Sequence, residues 1–245
     1  MTLLSEDPQL WDTVFVEQPA RGQFIRRLAR RVGLRILDVG CATGSLCRLL
    51  RQSGAHPVGV DINSKFIAAA HSKDPGGEYF VGDMKSFRLR RRFDVLVCLG
   101  TTFSYNCTNA EVQKCLRNFR AHLAREGCVV LDVLNAITLT GPRPFRRTTR
   151  HDFVHNGRRA TATIEHHMNL KRQSLTEQVS WKMAGRRLRR DPPEELRLFF
   201  PQELAFHLEM AGFSEVKLMD GYAGASATFA GRRLLAVASL AHRKP

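Results

Sequence analysis

No stretch of this chain approaches the roughly 18 consecutive apolar residues that a membrane span requires, so no membrane helix is expected. Its opening residues, MTLLSEDPQLWD, have neither the basic n-region nor the apolar core of a signal peptide. The six cysteines, Cys41, Cys47, Cys98, Cys107, Cys115 and Cys128, include no C-x-x-C pair. Several lie inside apolar runs and read as reduced core thiols of a cytoplasmic protein, and no metal site is expected. Internal repeats and low-complexity segments are also missing. Acidic residues are scarce: 23 Asp and Glu stand against 38 Lys and Arg, a net charge of +15. Arginine clusters recur at 26–31, 88–92, 143–150 and 185–190. Such a surface attracts polyanions, which keeps nucleic acid open as a partner. No aromatic-interleaved RNA motif accompanies the clusters, and solvated arginine faces are the plainer alternative.

What is present is ordinary globular composition, 43% hydrophobic over 245 residues, enough for one domain with a sizeable core. From about residue 20 to 135 short apolar strands alternate with helical stretches. RGQFIRRLARRV is amphipathic, and RILDVG is a strand ending at Gly40. SLCRLLRQSG is a helix closed by Gly54, HPVGVDIN a strand, and SKFIAAAHSK a helix opening at Ser64. GEYFVGDM and RFDVLVCLG are strands, the second nearly all apolar, as in the middle of a parallel sheet. NAEVQKCLRNFRAHLAREG reads as a helix with Asn109 as N-cap and Gly127 at its end, and CVVLDVLN as the next strand. Strict alternation predicts an α/β fold: a Rossmann-like, doubly wound, mostly parallel sheet. Beyond residue 136, ATATIEHHMNL and LTEQVSWKMAG predict an antiparallel strand pair at about 158–184, within a small β-rich insertion over one end of the sheet. A helix over PQELAFHLEMAGF and two closing strands follow, giving seven strands in the main sheet.

The stretch ILDVGCATGSLCRLL turns from strand to helix through Gly40 and Gly44. Open α/β sheets bind ligands outside the carboxyl ends of their strands, where strand order reverses. Glycine at such a turn lets backbone approach a ligand that a Cβ would exclude. Asp61 ends the next strand, 23 positions after Asp38, where an acid accepts hydrogen bonds from both ribose hydroxyls. Asp83, ending the third strand, is placed to accept from an adenine amino group, with Met84 packing the ring. A dinucleotide site wants G-x-G-x-x-G aimed at a pyrophosphate, which Gly40-Cys-Ala-Thr-Gly44 does not match. Asp38 is also poor company for a phosphate and good company for a cation. The turn therefore favours S-adenosylmethionine (SAM) over NAD.

LDVGCATG, GVDIN, GDM and FDVLVCLGTTFSYN resemble, in order and spacing, the successive motifs of class I SAM-dependent methyltransferases over residues 10 to 135. The later LRLFFPQELAFHLEMAGF is similar to the small-molecule subgroup of aminosugar and glycine N-methyltransferases. One departure is Ala42, where the family's middle motif glycine stands. The resemblance implies a single domain over 1–245, with a helical lid at 1–30 and the β-rich insertion at 140–190 covering the acceptor. It implies a cofactor site of Asp38, Gly40, Cys41, Ala42, Gly44, Asp61, Ile62, Asp83, Met84, Cys98, Leu99 and Gly100, closed by Phe15 with Trp11. Met84 as plain core packing and Cys98 as an inert core thiol remain open alternatives.

An acceptor pocket is expected beyond the fourth and fifth strands, with Thr102, Phe103, Tyr105 and Asn135 as its lining. Tyr105 falls where aminosugar relatives carry a histidine and would orient or deprotonate the acceptor, or else simply pack. His166 and His167 are adjacent on a strand and face opposite sides, so at most one, His166, reaches the pocket. The implied activity is methyl transfer from SAM to nitrogen or oxygen of a natural-product or sugar-like small molecule, by a monomer or homodimer. The alternatives are an RNA or protein methyltransferase, whose basic clusters would gather at the pocket mouth, and a non-catalytic SAM-binding subunit. The N/D-P-P-Y loop of amino-group nucleic-acid methyltransferases is absent.

Overall fold

In the computed structural model, residues 1–141, 146–223 and 229–240 are described. Residues 143–145 of the 143–150 arginine cluster, and 142–145 of the 140–190 insertion, therefore lie outside the described residues. Alternating apolar strands and amphipathic helices build the main sheet as expected. Its strands are β1 (Arg35–Val39), β2 (His56–Asp61), β3 (Glu78–Val81), β4 (Phe93–Cys98), β5 (Leu123–Leu134), β11 (Glu215–Asp220) and β12 (Arg233–Ser239). They lie in the order β11-β12-β5-β4-β1-β2-β3. β3, β2, β1, β4 and β5 run parallel, while β12 is antiparallel to both of its neighbours.

Strand periodicity sends successive side chains to opposite faces, and both faces are apolar here. Leu37, Leu96 and Cys98 pack under α6 (Asn109–His122) and α8 (Pro201–Met210). Ile36, Val95 and Val97 pack under α3 (Pro19–Val32) and α4 (Ser45–Gln52). Leu96 and Val97, adjacent in sequence, are both fully buried on opposite faces. Each such side chain contributes about 1.5–3 kcal/mol. Strand order reverses between β1 and β4, so the carboxyl ends of β1, β2 and β4 open on one crevice.

Three expectations are corrected. α6 is capped by Thr108, not Asn109. The Thr108 hydroxyl accepts from Glu111 N (3.2 Å) while the Glu111 carboxylate accepts from Thr108 N (3.1 Å), a capping box that satisfies two end donors at once. Second, α6 stops at His122, and Gly127 lies inside β5. A Cβ there would sit 3.0 Å from the carbonyl oxygens of Phe93 and Ala124, at a register shift between β4 and β5, so this glycine marks a bulge.

Third, the insertion is more than a strand pair. β6 (Thr148–His155), β7 (Arg158–Asn169), β8 (Ser174–Met183) and β10 (Glu194–Arg197) form an antiparallel sheet in the order β10-β8-β7-β6, and β9 (Arg186–Arg190) also pairs with β8. β6 and β9 carry the charges that protect sheet edges, and that hides them from an apolar pattern.

The segment before α3 forms two short helices, α1 (Leu3–Glu6) and α2 (Pro8–Val14). Leu10 packs with Ala162 and Trp181 of the insertion, and Leu3 N donates to Asp191 (2.9 Å). On the other side, the Trp11 ring lies 4.9 Å from Phe66 of α5 (Ser64–Lys73). Asp12 accepts from Thr43 and pairs with Lys73, and Asn63 donates to the Ser5 carbonyl (2.6 Å). These first fifteen residues thus bridge the crevice loops and the second sheet.

Candidate active site

Five backbone conformations in the left-handed region gather at the crevice: Gly40 (φ 79°), Ala42 (φ 47°), Gly44 (φ 75°), Gly100 (φ 65°) and Thr101 (φ 77°). Gly40 is required by space as well as by φ, because a Cβ would fall 2.4 Å from Thr102 Cγ2. The β1 turn and the β4 turn therefore pack against one another. Ala42 and Thr101 adopt a conformation that costs side-chain-bearing residues on the order of 1 kcal/mol, and each is held by a neighbour. Ala42 N donates to Asp61 Oδ2 (2.9 Å), and Asn63 N donates to Asp61 Oδ1 (2.8 Å). Arg233 donates to the Thr101 hydroxyl (2.7 Å) and to Asp132 Oδ1 (2.6 Å), Tyr222 donates to Asp132 Oδ2 (2.5 Å), and Thr101 N donates to the Asp132 carbonyl.

The carboxyl groups of the crevice are shifted by burial. Asp38 is 4% exposed, and desolvation, reinforced by the nearby Glu17 charge and opposed by Arg21, pushes its pKa up to about 7. Asp61 is raised by desolvation against the backbone donors that favour its charge. Glu17 is also raised by desolvation, and it pairs with Arg21 (3.6 Å). Burial works against the Arg21 guanidinium, but Tyr222, Glu17 and Asp132 around it move its pKa upward overall. Glu17 Oε1 and Arg21 Nε are buried without a hydrogen-bond partner among the described residues. One unmatched acceptor and one unmatched donor beside Asp38 suit a zwitterion.

The residues singled out from the sequence do not all face the crevice. Ile62, 70% exposed, offers an apolar face next to Asp61. Phe15, half exposed, sets its ring tilted against Trp11, with centroids 4.4 Å apart. Asp83 accepts from Lys85 N (2.7 Å). Cys98 and Leu99 close β4, and Cys98 is fully buried with its thiol raised by desolvation. The Cys41 side chain points into a cluster with Cys47, Ile67, Ala70 and Tyr79, leaving its backbone for the turn. Met84 packs against the core, and its Sδ accepts from Asn106 Nδ2 (3.2 Å). Phe103 is fully buried among Phe119 and Phe199. Asn135, also fully buried, caps α7 (Ala136–Thr140) and donates to the carbonyls of Phe229 and Gly231.

Tyr105 ends a 3₁₀ turn over Thr102–Tyr105 and is 47% exposed. Its hydroxyl donates to Glu194 Oε2 on β10 (3.4 Å). Desolvation raises the phenol, with the charges of Glu194, Glu177 and Asp61 adding to it, so Tyr105 stands within electrostatic reach of both the Asp61 cradle and the second sheet. His166 pairs with Glu177 (3.3 Å) and contacts the Thr149 hydroxyl (3.0 Å); His167 is exposed on the other face.

The residues that sequence reading missed are Glu17, Arg21, Asp132, Tyr222, Arg233, Glu177 and Glu194. Asp132 alone had a local signal, a fully buried acid inside an apolar strand. A separate groove of about 660 Å³ lies on the opposite face of β10, lined by Cys107, Asn109, Arg197, Glu203 and His207 among others. Its buried Arg197 is already bound to Glu203, Asn109 and His207.

Residues 36–127 match the family model for the methyltransferase domain. Over 97 residues, 40% of this chain, the sequence is 32% identical to dTDP-3-amino-3,6-dideoxy-alpha-D-glucopyranose N,N-dimethyltransferase of Streptomyces fradiae, and the match spans 38% of that enzyme. The chain thus aligns with less than half the length of such relatives. The fold extends further. An S-adenosylmethionine-dependent methyltransferase from Clostridium acetobutylicum superposes over 95% of this chain and 97% of its own with a TM-score of 0.79 at 16% identity. A SAM-bound amino pentose methyltransferase from Micromonospora echinaspora superposes over 91% of this chain and 90% of its own, with a TM-score of 0.71 at 25% identity. The architecture is the class I methyltransferase fold.

Proposed function

We propose that this chain, whose residues 36–127 are a methyltransferase domain, transfers a methyl group from SAM to the nitrogen of a small, sugar-like amine. The observation that carries the reading is the crevice itself. A carboxylate fixed by two backbone donors ends β2, an exposed apolar residue follows it, and unmatched charged groups cluster beside Asp38. These residues fit SAM. Asp61 would hold the ribose hydroxyls and Ile62 the adenine face. Asp38 and Glu17 would receive the ammonium of the methionine end and Arg21 its carboxylate. When bound, SAM supplies an electrophilic methyl on a sulfonium, and the protein's own work is alignment and exclusion of water.

Support for a small acceptor comes from where the arginines lie. The 88–92 cluster precedes β4, at the end of the sheet opposite the crevice, and Arg91 pairs there with Glu78 (2.6 Å). Arg189 and Arg190 of the 185–190 cluster are tied to Glu6 and Glu165. These two clusters are thus engaged by the chain's own acids. The names of the amino-sugar relatives support an amine, while ubiquinone biosynthesis O-methyltransferases also match this chain.

The reading is tested by calorimetric titration with S-adenosylhomocysteine, followed by SAM turnover with amino sugars. Absence of binding by the wild-type chain would sink it.

The titration carries a further expected outcome. Because the folded pKa of Asp38, about 7, lies above its ordinary 3.8, the folded chain keeps a proton that the unfolded chain releases between these values. Asp38 therefore lowers stability progressively as pH rises from about 4 to 7. A cationic ammonium beside it favours the ionised form, so binding at pH 6.5 is expected to release a fraction of a proton. Repeating the titration in buffers of different ionisation enthalpy reads that fraction, and Asp38→Asn should abolish it.

A further inference from the structure

β10 has two unlike faces. Glu195 looks outward, where it pairs with Arg172 (3.3 Å), and its carbonyl accepts from the Cys107 thiol. Glu194 looks the other way, toward Tyr105. In a chain with 38 lysines and arginines, Glu194 makes no ion pair among the described residues, although it is only partly exposed. Its cross-strand neighbour on β8 is a second acid, Glu177, which is engaged by His166. The groups that face Glu194 are Tyr105 from the turn after β4, Glu177 from β8, Asp191 from the β9–β10 connection and, more weakly, the chain's amino terminus. Three of those four repel or cannot neutralise a carboxylate. Asp191 is itself paired with Arg189 (2.9 Å), so Glu194 is the acid of this group left without a counter-ion among the described residues, and beside Tyr105 it offers a counter-charge for a cation.

We infer that Glu194, set against Tyr105, takes the proton that an ammonium acceptor must lose before its nitrogen can be methylated, an assignment that rests on the N-methyltransferase reading above. An alkylammonium has no lone pair to attack with. As the proton passes to a Glu194 carboxylate oxygen, the nitrogen regains its pair. The pair then forms the new C–N bond while the S–C bond breaks and its electrons return to sulfur. Charge is conserved: the sulfonium becomes a thioether and the amine becomes a methylammonium, which leaves as a cation, while the Glu194 proton passes to water. Tyr105 donates to only one of the two Glu194 oxygens, Oε2, and so orients the carboxyl. Desolvation, reinforced by Asp191 and Glu177 and opposed by the Tyr105 hydrogen bond, raises the Glu194 pKa. That narrows its gap to an amine of pKa about 8 and makes proton transfer less uphill.

The test uses the whole chain with dTDP-3-amino-3,6-dideoxy-D-glucose as probe amine and its 3-hydroxy counterpart as control, across pH 6 to 10. Glu194→Gln is expected to lower kcat/KM for the amine by about 100-fold at pH 7, the low end of general-base effects. The loss should shrink to below about 10-fold near pH 9.5, where most of the free amine is already neutral. Tyr105→Phe should lose about 10-fold, with its pH profile displaced. S-adenosylhomocysteine affinity should be unchanged in both variants, which shows that they are folded. Glu194→Gln activity within about threefold of wild type at pH 7, a loss that does not change with pH, or transfer to the hydroxyl sugar in preference to the amine would each overturn the assignment. So would no transfer to the amine at all. Failure of the wild type to bind S-adenosylhomocysteine would instead overturn the methyltransferase reading.

Discussion

Asp61→Ala is expected to weaken S-adenosylhomocysteine binding by about 100- to 1,000-fold while leaving the fold intact. Two effects combine. Each hydrogen bond from a ribose hydroxyl to a carboxylate contributes about 1.5–3 kcal/mol, and 1.4 kcal/mol is a factor of ten in affinity. The same carboxylate also organises the β1 turn by accepting from Ala42 N and Asn63 N (2.9 and 2.8 Å). Without it, Ala42 loses the contact that offsets its left-handed conformation (φ 47°), and the cradle no longer keeps its shape. Asp61→Asn retains one acceptor oxygen and should fall between the two. Calorimetry reads the affinity, and far-UV circular dichroism with a thermal melt checks the fold. A loss of less than about fivefold in Asp61→Ala would mean that the ribose is not held here.

The largest effect on stability is expected at Asp132. This fully buried carboxylate receives Arg233, Tyr222 and, at longer range, Gly100 N. Removing one member of a buried ion pair leaves the other uncompensated, typically at a cost of 3–5 kcal/mol. The Arg233 side chain is 30% exposed, so water relieves part of that cost, and about 3 kcal/mol is expected for Asp132→Ala. For a chain of this size the melting midpoint should fall by about 6–12 °C. The double variant Asp132→Leu/Arg233→Leu should recover a good part of the loss, because both charges then go together. Equal melting of the single and double variants would show that the ion pair is not the source. Arg233 also holds the Thr101 hydroxyl (2.7 Å), so Asp132→Ala loosens the strained β4 turn as well, and cofactor affinity should drop with it.

Most of the first sheet was legible because its strands are buried on both faces and read as apolar runs between glycine turns. Asp61 drew the ribose expectation because it ends a strand next to a glycine-bearing turn, and the structure shows its carboxylate accepting from Ala42 N and Asn63 N. The second sheet was half legible. β7 and β8 carry β-branched and aromatic residues, whereas β9 reads RRLRR and β10 follows DPP, patterns that suggest exposed loop. Glu194 drew no attention in the sequence, since its phenol partner lies 89 positions away and its lack of an ion pair among the described residues shows only in the fold. Glu17 and Arg21 look like an ordinary i,i+4 surface pair, and only the fold brings Asp38, Asp132 and Tyr222 into their electrostatic reach. Phe103 and Asn135 erred in the opposite direction as pocket candidates. Motif position drew them to the crevice, while the structure puts Phe103 in the core and both polar ends of Asn135 on backbone.

The two-faced character of β10 also bears on how such an enzyme can change its diet. In the proposed arrangement the cofactor would be gripped by loops of the first sheet, and the acceptor side would be written on a four-residue strand of the second, β10. Strand parity means that sliding β10 by one position exchanges every side chain it shows to the crevice. Glu194 and Leu196 would give way to Glu195 and Arg197, and a wall that welcomes a cation would become one that also greets an anion. One inserted or deleted residue in the DPP approach to β10 would thus redirect acceptor choice in a single evolutionary step, with the grip on the methyl donor inherited intact.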